Sequence, residues 1–227
     1  MRNAARTHSR FDAAIFDFDE TMVNLESQHR DADEALCARR GARYLDIPAD
    51  MRNRSGMRVI DEIAGMKDFF NWSDPLGRLV EERARLFIET LSRSEVELLP
   101  GVGDLVSALR RRGLLLAVTS SGMRDYIELV LRRFDLTDCF NRVVAGDQVS
   151  KPKPDPEPYL KTAELLGVGP GRCVVFEDSS VGVEAAKAAG MYCVAVRNLY
   201  VRSPQDLARA DRIVTTLREV EVESLLS

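Results

Sequence analysis

The chain is poor in the residues that build most metal and redox centres. It has only two histidines, His8 and His29, and its four cysteines, Cys37, Cys139, Cys173 and Cys193, are widely separated in 227 residues. Two histidines are too few for a histidine metal cluster, and thiols without a Cys-x-x-Cys pair or a neighbouring histidine do not spell a zinc site. Three of the cysteines lie in or beside apolar segments, which predicts free buried thiols and a reducing, cytoplasmic setting. A positive excess is missing as well: the formal net charge is -4, so neither nucleic acid nor an anionic membrane is an expected partner. No apolar run approaches the length of a membrane span, and Arg2, Arg6 and Arg10 have no hydrophobic stretch behind them. The start therefore reads as a frayed terminus and not as a signal peptide. Internal repeats, low-complexity tracts, a Walker-type phosphate loop and a Gly-x-Gly-x-x-Gly are all lacking.

What is present is 45% hydrophobic sequence, enough for one sizeable core with a smaller satellite. The apolar run Ala13-Ala14-Ile15-Phe16 has the length of a buried strand and ends in two carboxylates, Asp17 and Asp19, separated by one residue. From about Glu26 to Ser94 apolar residues recur at helical spacing. A first helix ends near Gly41, a second carries Val59, Ile60 and Ile63 and ends at Gly65 or soon after, and a third follows Asp74 as N-cap with Pro75 at its first position. From Pro100-Gly101 helices and strands alternate: strands are predicted at Leu114–Val118, Arg142–Ala145, Cys173–Phe176, Tyr192–Val196 and Arg212–Val214. This pattern implies an α/β protein, a Rossmann-like parallel sheet with helices on both faces and an inserted all-helical cap. The core is assigned to residues 11–23 and 95–227 and the cap to 24–94.

In a parallel sheet all strand carboxyl ends share one edge, so loops distant in sequence converge. Those loops supply Asp17 and Asp19, then Thr119 and Ser120, then Lys151 in the turn Lys151-Pro152-Lys153-Pro154, then Glu177 and Asp178. Crowded carboxylates repel unless a divalent cation sits among them, and oxygen-only donors favour Mg²⁺. One carboxylate can attack phosphorus while a hydroxyl and an ammonium hold the phosphoryl oxygens, which describes phosphoryl transfer through an aspartyl-phosphate.

These four segments resemble, in order and in position, the four motifs of the haloacid dehalogenase superfamily. Val175-Phe176-Glu177-Asp178-Ser179, followed by Gly182-Val183-Glu184-Ala185-Ala186-Lys187-Ala188-Ala189-Gly190-Met191, is especially similar to its β-phosphoglucomutase-like branch. The resemblance runs from Phe11 to about Glu221. It implies that Asp17 is the nucleophile and a metal ligand, and that Asp19 is the general acid and base whose carbonyl also faces the metal. It further implies that Thr119, with Ser120 or Ser121, binds phosphoryl oxygens and that Lys151 neutralises their charge. Asp178 would complete the metal site, with Glu177 acting directly or through water. Dehalogenases of the superfamily lack an acid at the position of Asp19, since halide leaves without a proton, so phosphoryl transfer is the expected reaction.

One residue departs from the pattern: Glu20 stands where the family has Gly, and it is expected to adopt an ordinary conformation facing solvent, the alternative being a contact with substrate or cap. In the cap, His29 matches a histidine that approaches the acid/base Asp, and Arg58, after the loop Arg54-Ser55-Gly56-Met57, is a candidate substrate ligand. The aromatics Phe69-Phe70-Asn71-Trp72 read as a buried cluster, the alternative being a dimer contact. The expected function is an Mg²⁺-dependent phosphatase acting on a small phosphorylated metabolite, as a monomer or weak homodimer. A phosphosugar mutase is the alternative, but Gly122-Met123 stand where the mutase resemblance calls for Lys-Asn. A retired, binding-only relative would lack Asp17, Asp19, Lys151 or Asp178, and all four are present.

Overall fold

The computed structural model describes residues 9–52, 56–198 and 205–227. The first eight residues, expected to belong to a frayed terminus, and the cap-loop residues Arg54 and Ser55 lie outside the described residues. The chain opens with β1 (Ala13–Phe16), passes through four helices, α1 (Glu26–Ala38), α2 (Ala49–Arg52), α3 (Val59–Phe70) and α4 (Leu76–Arg93), and then alternates. The alternating part comprises α5 (Val102–Arg111), β2 (Leu115–Thr119), α6 (Arg124–Arg133), β3 (Arg142–Val144), α7 (Glu157–Leu166), β4 (Cys173–Glu177), α8 (Ser180–Ala188), β5 (Tyr192–Val196), β6 (Arg212–Val214) and α9 (Val222–Leu226). All strand pairings in the sheet are parallel, in the order β3-β2-β1-β4-β5-β6.

The first strand sits at the centre because every one of its side chains is apolar and can be buried on both faces. Ala14 and Phe16 join one apolar cluster, whereas Ala13 and Ile15 join a second on the opposite face. Phe16 pairs in register with Val118 on one side and Phe176 on the other, and its ring stacks on Phe176 at 4.7 Å. The chain therefore changes direction across the sheet between β1 and β4, and such a switch point opens a crevice at the carboxyl ends.

The helical stretch leaves and rejoins the sheet through two segments that pair with each other. Val23 bridges Leu98, and the Leu99 amide donates to the Met22 carbonyl at 2.8 Å. Helices α1 and α4 pack through Leu36, Leu79, Leu86 and Phe87, and enclose an ion pair between Arg83 and Asp33 at 2.9 Å. Gly65 does not end α3 as expected. The apolar stripe Val59, Ile63, Met66 continues past it, outweighing the roughly 1 kcal/mol that one helical Gly costs, and Asn71 in the left-handed region ends the helix instead. Pro75 serves as the N-cap of α4 and Leu76 is the first helical residue. Of the aromatics, Trp72 is buried with Phe70 stacked on it, but Phe69 is exposed. Cys37, Cys173 and Cys193 are free and buried. Among the described residues no helix is long and apolar enough to cross a membrane.

Candidate active site

The two central strands, β1 and β4, end in the acidic residues of the crevice. Asp17 follows β1 directly, its amide held by the Phe176 carbonyl at 2.9 Å. Lys153 donates to Asp17 Oδ1 at 2.6 Å and to Glu177 Oε1 at 2.5 Å, and its side chain is almost wholly buried. Glu177 also accepts from the Tyr159 hydroxyl at 2.9 Å through Oε1, and from the Asp178 and Ser179 amides at 2.8 Å and the Ser179 hydroxyl at 3.0 Å through Oε2. With five donors it is a tightly held carboxylate that fixes both Lys153 and the start of α8. Gly182 is required there, since a Cβ would lie 1.6 Å from Glu177 Oε1.

Asp178 accepts from the Thr21 hydroxyl at 3.1 Å through Oδ1, but its Oδ2 is buried with no hydrogen-bond partner among the described residues. Such an orphan is costly in a folded protein. One carboxylate oxygen each from Asp17, Glu177 and Asp178 lie within 4.8 Å of one another. Burial, followed by the Glu177 and Asp17 charges, pushes Asp178 well above the ordinary carboxylate range. Burial also raises Asp17, against the pull of Lys153. An all-oxygen cluster with an orphaned buried oxygen fits a hard divalent cation.

Asp19 is held by both parts of the molecule. Its Oδ2 accepts from the Tyr126 hydroxyl at 2.5 Å and from Ser120 Oγ at 3.3 Å, and its Oδ1 lies 3.4 Å from His29 Nε2. Arg83, which can only donate, lies 2.8 Å from His29 Nδ1. The Nδ1 must therefore accept, so the ring proton sits on Nε2 and points at Asp19. Burial favours the neutral form of Asp19, but the His29, Tyr126 and Ser120 contacts outweigh it and hold the group below its ordinary value.

Asp17, Asp19, Ser120, Asp178 and His29 are thus brought together as expected, around a cavity of about 430 Å³ that Arg52 and Tyr44 help to line. Four expectations need correction. Thr119 is the last residue of β2 and turns its hydroxyl to Thr162 on α7, at 2.6 Å, so the first hydroxyl past the strand end, Ser120, faces the site. Lys151 is solvent-exposed, 3.7 Å from Asp155, and Lys153 occupies the place assigned to it. Arg58 pairs with Asp61 at 2.7 Å and donates to the Val149 and Ser150 carbonyls, bridging cap and core instead of facing the cavity. Glu20 takes the left-handed conformation, φ 62°, that its replacement of Gly made unexpected. Its Oε1 accepts from the Leu25 amide at 2.9 Å and its carbonyl from Asn198 at 2.7 Å, so it contacts the cap entrance, half-buried, instead of pointing away into solvent. Ser121 donates to the Gly56 carbonyl at 2.7 Å, another cap-to-core bond.

Sequence reasoning missed Lys153, Tyr126, Tyr159 and Arg83 as members of the site. For Lys153 a signal existed: both Lys151 and Lys153 precede a proline, but only Lys153 stands one turn before α7. The polar ends of Tyr126, Tyr159 and Arg83 lie in helices whose apolar spacing reads simply as core.

Residues 14–196 match the family of haloacid dehalogenase-like hydrolases. The chain belongs to that family. A phosphorylated carbohydrates phosphatase of Thermotoga maritima is 36% identical over 189 residues, covering 79% of this chain and 82% of the relative. CbbY from Rhodobacter sphaeroides, crystallised as a variant with xylulose-1,5-bisphosphate, superposes with a TM-score of 0.85 at 27% identity, covering 96% of this chain and 100% of that one. The β-phosphoglucomutase of Clostridium difficile shares the fold, with a TM-score of 0.81 at 22% identity over 95% of each chain. The fold and the β-phosphoglucomutase-like branch are those the four motifs led us to expect.

Proposed function

We propose that this haloacid dehalogenase-like hydrolase is an Mg²⁺-dependent phosphatase of a small phosphomonoester, a sugar phosphate or related metabolite, working through an aspartyl-phosphate on Asp17. The observation that carries the reading is the buried set of Asp17, Lys153 and Asp178 in the crevice at the strand ends, with Asp178 Oδ2 left without a partner among the described residues. The Thermotoga relative is named a phosphatase of phosphorylated carbohydrates, and the CbbY structure holds a sugar bisphosphate, which supports the substrate class.

In this mechanism Asp17 attacks phosphorus, Lys153 neutralises charge on Asp17 and the phosphoryl oxygens, and Ser120 donates to those oxygens. Asp19, ionised in the resting site, takes up a proton as substrate binds, gives it to the leaving oxygen and then takes one from the water that hydrolyses the intermediate. Asp17, Asp178 and the Asp19 carbonyl would hold the metal, with Glu177 behind them fixing Lys153. When bound, the cation supplies charge neutralisation that lets the anionic phosphate approach a carboxylate.

Residues 24–94 act as a lid on hinges near Met22 to Glu26 and Ser92 to Glu97, supported by the cap bonds to Ser121, Val149 and Asp19. Water is the acceptor because Gly122 and Met123 supply no cation to hold a second phosphate. The buried free thiols agree with a cytoplasmic enzyme. The test is a panel of sugar phosphates and an aryl phosphate with Mg²⁺: the wild type releases phosphate and Asp17→Asn releases about a thousandfold less or none. Equal rates for the two proteins contradict the mechanism.

A further inference from the structure

Tyr126 lies on α6, outside every motif that defines the site, yet its hydroxyl makes the shortest contact to the Asp19 carboxylate, 2.5 Å from Oδ2. The residue is 3% exposed. Its ring is fixed between the core's Phe18, at 6.2 Å, and the cap's His29 and Phe87, at 5.8 and 4.8 Å. The neighbouring backbone has been cleared for it: a Cβ on Gly122 would fall 1.6 Å from the phenolic oxygen. Burial, with the Asp19 charge beside it, pushes the phenol well above its ordinary value, so it stays a donor at neutral pH.

The two oxygens of Asp19 are therefore unequal. Oδ2 is taken by Tyr126 and, at 3.3 Å, by Ser120, both from the core. Among the described residues, Oδ1 meets only the longer 3.4 Å contact from His29. Resting on the phosphatase reading, we infer that Tyr126 is a positioning residue: by holding Oδ2 it fixes the carboxylate's rotation and assigns proton transfer to Oδ1. Both Asp19 oxygens accept hydrogen bonds in the resting site, so the proton reaches Oδ1 from solvent as substrate binds, in place of the His29 contact. In the first half-reaction that Oδ1–H bond breaks as the leaving oxygen takes the proton. The phosphorus–oxygen bond to the leaving group breaks with it, and the bond from Asp17 to phosphorus forms. The solvent proton is the one other reactant, and Oδ1 regains it from the water that hydrolyses the intermediate.

The role separates from simple packing through the leaving group. A 4-nitrophenolate departs without a proton, whereas the alkoxide of benzyl phosphate, of similar size, does not. The quantity to measure is kcat/KM, which reports the steps through phosphorylation of Asp17. For Tyr126→Phe, kcat/KM on benzyl phosphate should fall about 10- to 100-fold, and at least about tenfold further than on 4-nitrophenyl phosphate. Gly122→Ala, which displaces the hydroxyl without removing the ring, should show the same bias and carries the test if the first variant is insoluble. Equal losses on the two substrates, or none, overturn the inference and leave Tyr126 a packing residue. A wild type inactive on both contradicts the phosphatase reading itself, and this inference with it.

Discussion

Lys151 and Lys153 differ by two positions and by their whole environment. Lys153 is enclosed by Asp17, Glu177 and the Tyr159 ring, whereas Lys151 is in water beside Asp155. Lys153→Met should lower kcat by at least about a thousandfold, because it removes the charge facing the transferring group, while Lys151→Met should stay within about twofold. Steady-state kinetics of the two variants checks this, and the reverse ranking would restore the reading from sequence. Glu20 makes a second prediction. Burial raises its carboxyl from 4.5 to about 7, against the Leu25 amide that stabilises its charge. An acid whose folded value lies above its unfolded one destabilises the fold where only the unfolded chain is ionised, so this penalty is absent below about 4.5 and grows as pH rises toward 7. In metal-free protein, Glu20→Gln should thus gain on the wild type by about 1–3 kcal/mol between pH 4.5 and 8, read from denaturant midpoints. A constant difference would show that the Glu20 carboxyl titrates alike in the folded and unfolded chain. Neither the conformation of Glu20 nor the choice of lysine was legible from residue types, since each is decided by partners far away in the chain, Asn198 for one and Glu177 for the other.

Among the elements, the strands were the most legible, because Ala13–Phe16, Cys173–Glu177 and Tyr192–Val196 are continuous apolar runs that only a two-sided burial accommodates. Helix ends were less so: Gly65 was overridden by packing, and α2 and α9, of four and five residues, are too short to show a period. The polar core of the cap was not legible at all. Arg83 is 1% exposed on α4, and its partners Asp33 and His29 lie a helix away on α1. Breaking a buried ion pair strands a charge, so Arg83→Met should destabilise by about 3–5 kcal/mol, and Asp33→Leu combined with it should recover much of that loss. Chemical denaturation of the wild type, both single variants and the double variant gives the coupling; additive losses would mean that the two charges stabilise the cap independently.

At the scale of the whole molecule, four loops separated by up to 161 positions, from Asp17 to Asp178, meet only because the sheet is parallel and turns at β1. That convergence was the most legible feature of the site, since it follows from strand order and not from side-chain detail. It also stores electrostatic repulsion. A cation bound among Asp17 and Asp178 should raise stability by about 2.7 kcal/mol at a hundredfold excess over its Kd, several degrees in Tm for a chain of this size. Asp178→Asn should lose that Mg²⁺ response while being no less stable than the wild type without metal. An unchanged response would place the cation elsewhere.

The covalent intermediate on Asp17 is the claim on which the account stands. Asp19→Asn protein, in which hydrolysis of the intermediate is slowed, is mixed with Mg²⁺ and an aryl phosphate carrying radiolabelled phosphorus, quenched in acid and digested. The account predicts label on the peptide containing Asp17 and none when Asp17→Asn is added. Label on any other residue, or turnover of substrate with no labelled protein at any quench time, would contradict it.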